Sequence, residues 1–297
     1  MTGHTNTSGG QTSPPRVSEW KRFKRVFFSR GIVIFGLIVI LLMIIIAIAA
    51  PVLAPYDPNA TDLRAMLQGP SVEHLLGTDS LGRDVLSRVL YGARTSLFIG
   101  LIVIAIASFV GISLGLIAGF YGGIVYTVIM RCIDALMTFP MMVLAMVIAA
   151  LLGGGMKNVI IALSVGLMPQ YARLMCSQVL TVKQNDYILA EVSMGASDFR
   201  IMIKHMFMNS LPPLLVLMTM MLGNAILSEA SLSFLGIGIE PPTAAWGSMV
   251  NDGREYLLKR PLITFAPGAA IMLVVFAFNM VGDGLRDALN PKLRGQL

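Results

Sequence analysis

The residue types that carry chemistry in most proteins are few in this chain and far apart in sequence. The only histidines are His4, His74 and His205, so a shared metal site is not expected. The zinc motif H-E-x-x-H, the dithiol motif C-x-x-C and the phosphate-binding pattern G-x-x-x-x-G-K-[ST] are all absent from the sequence. We therefore expect no catalytic residue, no bound metal and no cofactor in this chain.

Some ionisable side chains lie inside long apolar stretches, where a charge is costly and often marks a path. Arg131 and Asp134 are three residues apart, so they could line a path or form a neighbouring pair at the membrane edge. Glu229 stands near one end of its apolar stretch, where it could be solvated or face a path or an interface. Their placement depends on the elements that carry them.

Composition indicates that those elements cross a membrane. Of 297 residues, 56% are hydrophobic and 13% are charged, and the net charge is +6. Ordinary soluble domains carry about 25% charged residues, and disordered chains are more polar still. Two cysteines exclude a disulfide-rich module, and both Cys132 and Cys176 lie in apolar stretches that predict buried thiols.

The apolar runs predict an all-α membrane protein with six transmembrane helices, because about 20 apolar residues suffice for one crossing. The predicted spans are residues 31–53, 96–120, 124–152, 159–179, 213–234 and 262–281. The first span contains the small-x-small pattern Ala47-Ile48-Ala49, but its length favours an uncleaved anchor over a signal peptide.

Basic flanking residues predict the orientation. The N-terminal flank holds Arg16, Lys21, Arg22, Lys24, Arg25 and Arg30, which places both termini in the cytoplasm of a multi-pass membrane protein. The predicted division is a cytoplasmic tail 1–30, a first helix 31–53, an extracytoplasmic segment 54–94, a core 95–285 with a cytoplasmic loop 183–212, and a cytoplasmic tail 286–297.

The loop 183–212 reads as two short helices around a tight turn. Gly195 can adopt the left-handed conformation that ends the first helix, and Ser197 or Asp198 can cap the second. Phe199, Ile203 and Met206 form a predicted apolar stripe, and Pro212-Pro213 is expected to stop this helix and start the fifth span. The loop either folds against its own bundle or docks a cytoplasmic partner.

Other segments favour structural interpretations. Asp84 and Arg88 are four residues apart and predict a surface pair, and Trp246 predicts an interfacial anchor. Small residues recur along the second span and predict close helix packing: Gly111, Ser113, Gly115, Ala118 and Gly119. The methionines are expected to fill helix interfaces more than to form an adaptable substrate surface.

The cytoplasmic loop resembles the EAA loop of binding-protein-dependent ABC importer permeases. The resemblance is carried by Tyr187, Ala190, Gly195-Ala196-Ser197, Phe199-Arg200 and Leu211-Pro212-Pro213. The chain departs from the family at Leu189, where the family has Glu, and at Glu191, where it has Ala. That departure puts local pairing with the ATPase in doubt and leaves the glycine turn intact.

Further segments resemble the dipeptide, oligopeptide and nickel permeases of the DppC/OppC/NikC kind over roughly residues 30–294. They occur in the family order: 77–88, 91–97, 231–236, 241–242, 246–247, 251–254 and 282–291.

This resemblance implies a type I ABC importer permease fold and a transport subunit rather than an enzyme. It implies a second homologous, DppB-like permease, two P-loop ATPases that carry ATP–Mg, an extracytoplasmic substrate-binding protein and surrounding lipid as partners, with no nucleic acid. The cargo would be a peptide or a nickel chelate, and the outer loop with Trp246 would face the path. The implied ATPase-coupling residues are Tyr187, Ala190, Glu191, Gly195, Ala196, Ser197, Asp198, Phe199 and Arg200.

Two alternatives stand beside this interpretation. An ion-gradient-driven secondary transporter would favour coupling-ion residues at the membrane midplane, and few intramembrane acids are present. A membrane enzyme is disfavoured because no catalytic constellation is evident.

Overall fold

The computed structural model describes residues 19–289, with side chains from residue 23 onward. Arg16, one of the basic residues used to predict the orientation, therefore lies outside the described residues, and Lys21 and Arg22 are described only as part of a helix. The side of the membrane on which each end of the bundle lies remains a prediction.

The described residues form helices and contain no extended strand. The long helices are α2 (Gly31–Leu53), α3 (Val85–Tyr121), α6 (Met156–Lys183), α9 (Met208–Phe234) and α11 (Leu262–Leu289). The shorter helices are α1 (Glu19–Phe27), α4 (Gly123–Met137), α5 (Met141–Leu152), α7 (Asp186–Ser193), α8 (Asp198–Arg200) and α10 (Trp246–Gly253). Single 3-10 turns occur at Leu63–Ala65 and Arg254–Tyr256.

Five helices of the described chain are long and apolar enough to cross a membrane, and a bent pair makes six. The pair is α4 and α5, which meet at 90°. The third predicted span, 124–152, is therefore this bent pair instead of one continuous helix. Pro140 precedes α5 and has no N–H to continue the α4 hydrogen bonds, so the chain turns there.

Small residues bring α3 and α6 into close contact, as the sequence predicted. A Cβ on Gly111 would lie 2.5 Å from the Met168 carbonyl oxygen, and a Cβ on Gly119 would lie 2.8 Å from Cβ of Val179. The segment 111–115 also has the G-x-S-x-G spacing of a nucleophile elbow, but it lies inside α3 instead of at a strand-to-helix turn. Ser113 Oγ donates to the Phe109 carbonyl, so these residues serve packing.

The first membrane helix packs as part of the bundle. A Cβ on Gly36 of α2 would lie 3.0 Å from the Ala277 carbonyl oxygen of α11. The two cysteines differ from expectation, since Cys176 is buried but Cys132 on α4 is exposed. An apolar neighbourhood in sequence thus did not bury the Cys132 thiol, because α4 packs on the bundle through the opposite face that carries Met130 and Ile133.

Residues 54–84 and 235–261 fold together over one end of the bundle, and we call them the cap. Arg260 Nε donates to the Leu67 carbonyl at 2.6 Å, and Arg88 Nη1 donates to the Pro58 carbonyl at 2.9 Å. At the opposite end, Lys183 Nζ donates to the Phe120 carbonyl at 2.7 Å and holds the ends of α6 and α3 together.

The helix after Gly195 does not stop at Pro212-Pro213, contrary to the sequence prediction. It runs over Asp198–Phe234 and includes π-helical residues Ile201–Phe207. Proline has no N–H to donate within the helix, and membrane helices tolerate this local loss of hydrogen bonds. Ser210 Oγ donates to the Met206 carbonyl at 2.7 Å, and Asn209 Nδ2 donates to the His205 carbonyl at 2.5 Å.

Candidate functional site

The loop between α6 and α9 forms a compact turn, residues 184–200, which we call the elbow. Gly195 adopts φ of +79° after α7. The Ala196 N–H donates to the Glu191 carbonyl at 3.1 Å, and the Gly195 N–H donates to the Val192 carbonyl at 3.0 Å. This pair of bonds is a Schellman motif, in which glycine satisfies the helix end at low conformational cost.

Three fully buried side chains anchor the elbow to the bundle. They are Ile188 of α7 and Ile201 and Met206 of the π-helical turn, and they pack against residues of α3, α6 and α9. The predicted stripe of Phe199, Ile203 and Met206 is wrong, because Phe199 is 72% exposed. The π turn shifts the register, so the buried positions are five residues apart instead of four.

The elbow also presents exposed apolar side chains. Those of Leu189, Val192, Met194 and Phe199 are between 56% and 75% exposed. Of the other predicted coupling residues, Glu191 and Ala196 are half-buried, and the rest are exposed: Tyr187, Ala190, Gly195, Ser197, Asp198 and Arg200. Ser197 occupies the N-cap position of α8, but its side chain makes no capping hydrogen bond.

The departure from the family pattern at Glu191 has a local partner. Its Oε1 lies 3.3 Å from His205 Nε2, within ion-pair distance though not in hydrogen-bond geometry. Asn209 Nδ2 donates to the Tyr187 hydroxyl at 3.2 Å, and the Tyr187 ring lies 6.1 Å from the His205 ring. These contacts tie α7 to the π-helical turn and to the start of α9.

The structure pairs Asp134 with a different residue from the one expected. Arg173 Nη2 on α6 donates to Asp134 Oδ1 on α4 at 2.5 Å, and both side chains are about half exposed. Arg131 is exposed on α4, so the expected Arg131–Asp134 pair is not the contact that forms. Sequence spacing favoured Arg131, since Arg173 is 39 residues away.

Glu229 is fully buried, so of the alternatives left open by the sequence the solvated carboxyl is wrong. Its Oε2 accepts a hydrogen bond from Ser96 of α3 at 3.2 Å, and its Oε1 accepts one from Ser233 at 2.8 Å. The Ser233 hydroxyl in turn accepts from the Ile239 N–H at 3.2 Å. The carboxyl therefore links α3, α9 and the cap inside the chain.

Trp246 is also fully buried, so an interfacial anchor is the wrong interpretation of this residue. Its Nε1 donates to the Val89 carbonyl of α3 at 2.9 Å. The ring packs in a cluster with Val85, Ala93 and Ile226. Trp246 thereby fixes the cap to the bundle.

A buried ionic cluster holds the cap, in place of the surface pair predicted for Asp84 and Arg88. Asp84 caps α3 by accepting from the Ser87 N–H, and its Oδ1 lies 2.9 Å from His74 Nδ1. Asp79 Oδ2 lies 2.6 Å from Arg83 Nε and 3.6 Å from Arg88 Nε. All four charged residues are at most 4% exposed, because the cap covers this end of α3.

Asp252 extends this cluster from α10. Its Oδ2 lies 3.7 Å from Arg83 Nη2. Burial raises the pKa of the Asp252 carboxyl even though Arg83 and Arg88 act in the opposite direction. Among the described residues, no group of three or more His, Cys, Asp or Glu side chains is arranged to hold a metal ion.

Comparison with known proteins places this architecture in a family. Residues 111–295 match the model of the binding-protein-dependent transport system inner membrane component, which covers more than half of the chain. The chain belongs to this family. Residues 18–70 of the permease match a second model, the N-terminal transmembrane domain of oligopeptide transport permease C.

Individual relatives agree with the family models over nearly the whole permease. It is 40% identical to the dipeptide transport system permease protein DppC of Alkalihalophilus pseudofirmus, over 99% of this chain and 97% of that one. It is 42% identical to the glutathione transport system permease protein GsiD of Pectobacterium atrosepticum, over 93% and 92%. It is 42% identical to the probable D,D-dipeptide transport system permease protein DdpC of Escherichia coli, over 96% and 98%.

These matches make the chain a multi-pass membrane permease subunit and not an enzyme. They favour the importer interpretation over an ion-gradient-driven carrier. The sequence argument did not find Arg173, His205 or Asp252 as partners in ionic contacts. Of these three, Arg173 could have been identified from the sequence, because it is a charged residue inside the predicted fourth span.

Proposed function

We propose that this permease is one of two homologous membrane subunits of an ATP-driven importer of short peptides in the bacterial plasma membrane. The elbow binds one of two P-loop ATPase subunits, and those subunits carry ATP and Mg²⁺. The cap faces an extracytoplasmic substrate-binding protein. The chain supplies half of the path and a mechanical connection, and ATP hydrolysis takes place on its partners.

The exposed apolar surface of the elbow carries this proposal. Met194 is 75% exposed and Phe199 is 72% exposed, at a turn whose base is buried. Exposed aromatic and methionine side chains on a rigid support are typical of interface anchors. A loop that only folded against its own bundle would bury these side chains.

The attachment of the elbow explains how motion would reach the path. α7 follows the end of α6 after Gln184 and Asn185, and the helix Asp198–Phe234 continues from the elbow into the membrane. Buried Ile188, Ile201 and Met206 prevent the elbow from moving alone. ATP-driven closure of the ATPases would therefore displace α6 and α9 and switch the path from inward-facing to outward-facing.

The proposed cargo is a short peptide, since relatives with 40% to 42% identity are named for dipeptide, D,D-dipeptide and glutathione transport. A nickel chelate remains the second candidate cargo. The uptake of a labelled dipeptide is measured with unlabelled dipeptide as competitor and with nickel and a chelator as competitor. This comparison separates the two candidate cargoes.

Substitutions at one elbow position test the ATPase contact. In the Phe199→Asp variant a charge replaces the exposed ring, and we expect loss of ATPase co-purification and of ATP-dependent uptake. Phe199→Leu is the matched control, because it keeps an apolar side chain and should keep both activities. Full uptake by Phe199→Asp, or uptake driven by an ion gradient without ATP, would overturn the proposal.

A further inference from the structure

The Asp134–Arg173 pair is an ion pair that is exposed although its helices cross the membrane. The two side chains are 47% and 52% exposed, with Arg173 Nη2 2.5 Å from Asp134 Oδ1. Such a pair is unusual, because charges inside the bilayer are normally covered by protein or face a water-filled cavity.

Both residues lie near the middle of their membrane elements. α6 has 28 residues, and Arg173 lies about 5 Å beyond its midpoint at 1.5 Å per residue. Asp134 lies one helical turn before Thr138, at the break where α4 bends into α5. Because the hydrocarbon layer is about 30 Å thick, the pair lies well inside it.

The exposed side of this pair cannot face lipid at acceptable cost, so it faces water or another polar group. Arg131, one turn before Asp134 on α4, is also exposed and gives the same helix a cation. A row of charges on exposed helix faces at this depth is the pattern expected of a path wall.

A cavity of about 280 Å³ lies at the α4–α5 bend, and its lining begins one helical turn from each member of the pair. Gln170 lines it one turn before Arg173 on α6, and Met137 lines it one turn after Asp134 on α4. The remaining lining is apolar: Leu136, Phe139, Pro140, Met141, Leu144, Gly166 and Pro169. The volume is just below the range of complete small-molecule pockets, so it suits one side chain of a ligand.

We propose that Asp134, Arg173 and this cavity form a binding site for a short zwitterionic peptide inside the path. Asp134 binds the terminal ammonium, Arg173 binds the terminal carboxylate, and an apolar peptide side chain enters the cavity. This assignment rests on the proposed function and adds where the permease itself contacts its cargo.

The energetics allow a peptide to open the pair. An exposed ion pair contributes only about 0–1 kcal/mol, so separating Asp134 from Arg173 costs little. A bound zwitterion then replaces the Asp134–Arg173 ion pair by two ion pairs, one at each peptide terminus, and leaves no charge without a partner. Guanidinium binds a carboxylate in bidentate geometry, which favours Arg173 as the carboxylate site.

Thiol accessibility tests whether the site is wet and occupied. Cys132→Ser removes the exposed thiol, and the remaining Cys176 is buried, so this background should not react with a water-soluble methanethiosulfonate. Gln170→Cys in that background should react in the assembled complex, and millimolar dipeptide should slow the reaction. No reaction, or a rate that dipeptide does not change, would overturn the proposal.

Photo-crosslinking identifies the contacts directly. A dipeptide with a diazirine on an aliphatic side chain should label Met137, Phe139 or Met141 in the complete complex. Arg173→Gln should weaken this labelling about tenfold, because it removes a charge-assisted contact. Lys157→Gln removes a cation from the first turn of the same helix and should leave labelling unchanged.

A charge exchange separates binding from a purely structural role. Asp134→Arg combined with Arg173→Asp restores an ion pair but reverses it relative to the cavity, so labelling should stay weak. Wild-type labelling in the exchanged variant would overturn the proposal. ATP-dependent dipeptide uptake by the wild-type complex is measured in parallel: uptake without labelling rejects this site alone, whereas absence of both rejects the peptide importer itself.

Discussion

The indole nitrogen of Trp246 donates a hydrogen bond of 2.9 Å to the Val89 carbonyl, and so joins the cap to the first turns of α3. Gly92 lies one turn further along α3. A Cβ there would lie 2.6 Å from Cδ1 and 2.8 Å from Nε1 of the indole. The absence of a side chain at Gly92 is what allows the tryptophan to reach the helix backbone.

Gly92→Ala should therefore destabilise the cap. The methyl group must displace a fully buried ring, and overpacking of this kind costs about 1–3 kcal/mol. The thermal unfolding midpoint of the purified permease should fall. Gly268→Ala in α11 is the control, since a Cβ there meets nothing within 4 Å and its midpoint should not fall.

Asp79→Asn should destabilise the cap more strongly. Asp79 accepts from the Leu81 and Arg83 N–H groups and neutralises Arg83 and Arg88, both of which are at most 3% exposed. Removing one partner of a buried ion pair costs about 3–5 kcal/mol. Glu255→Gln removes an exposed carboxylate from the cap and should change the midpoint little. Equal effects of the two substitutions would contradict this account of the cluster.

Asp252 should give the permease a pH dependence of defined sign. Burial raises the pKa of this carboxyl in the folded chain, so between the unfolded and folded values the native state holds more protons. Its contribution to stability is then present below the unfolded pKa, about 4, and is lost as the pH rises through the folded one. Asn cannot titrate.

The measurement is the difference in unfolding midpoint between the Asp252→Asn variant and wild type across a pH series. That difference should shift in favour of the variant as the pH rises from about 4. A difference that stays constant, or moves toward wild type, would show that the carboxyl does not have a raised pKa.

Local patterns predicted the elements better than the contacts between them. The first apolar run, 31–53, has the bounds of α2, and Gly195 takes the left-handed conformation that its place after a helix favoured. Pro212-Pro213 misled because this helix tolerates proline in its interior and continues to Phe234. Pro140 was the overlooked signal for the bend of the third span.

The contacts between residues of the site could not be predicted from sequence spacing. Glu229 meets Ser96 across 133 positions, and Arg173 meets Asp134 across 39. Sequence spacing identifies only neighbours on one helix, so it suggested Arg131 as the partner of Asp134 and left open whether Glu229 is solvated. The residues predicted to couple to an ATPase lie together because they belong to one short loop, although Phe199 is exposed instead of buried, and their role stays a prediction.

Glu229→Leu should weaken the contact between α3, α9 and the cap. It removes the acceptor of two hydroxyls, Ser96 and Ser233, which are buried and would be left without this partner. An unsatisfied buried donor costs about 1–3 kcal/mol, so the unfolding midpoint should fall. Glu229→Gln keeps an acceptor and a similar shape, so its unfolding midpoint should fall much less. Equal losses in both variants would argue that shape, and not hydrogen bonding, matters here.

Gly195→Val should uncouple transport without unfolding the bundle. Nothing lies within 4 Å of a Cβ at Gly195, so the substitution creates no clash, but φ of +79° is strained for a β-branched residue. The elbow must then rebuild its Schellman turn, and Phe199 and Met194 lose their fixed positions. Binding-protein-stimulated ATP hydrolysis and peptide uptake in proteoliposomes should fall together, while membrane insertion and the unfolding midpoint stay near wild type.

Gly195→Asn is the matched control, because asparagine tolerates the left-handed region, and it should retain most uptake. Normal uptake by the valine variant would mean that the geometry of this turn does not transmit the ATPase motion.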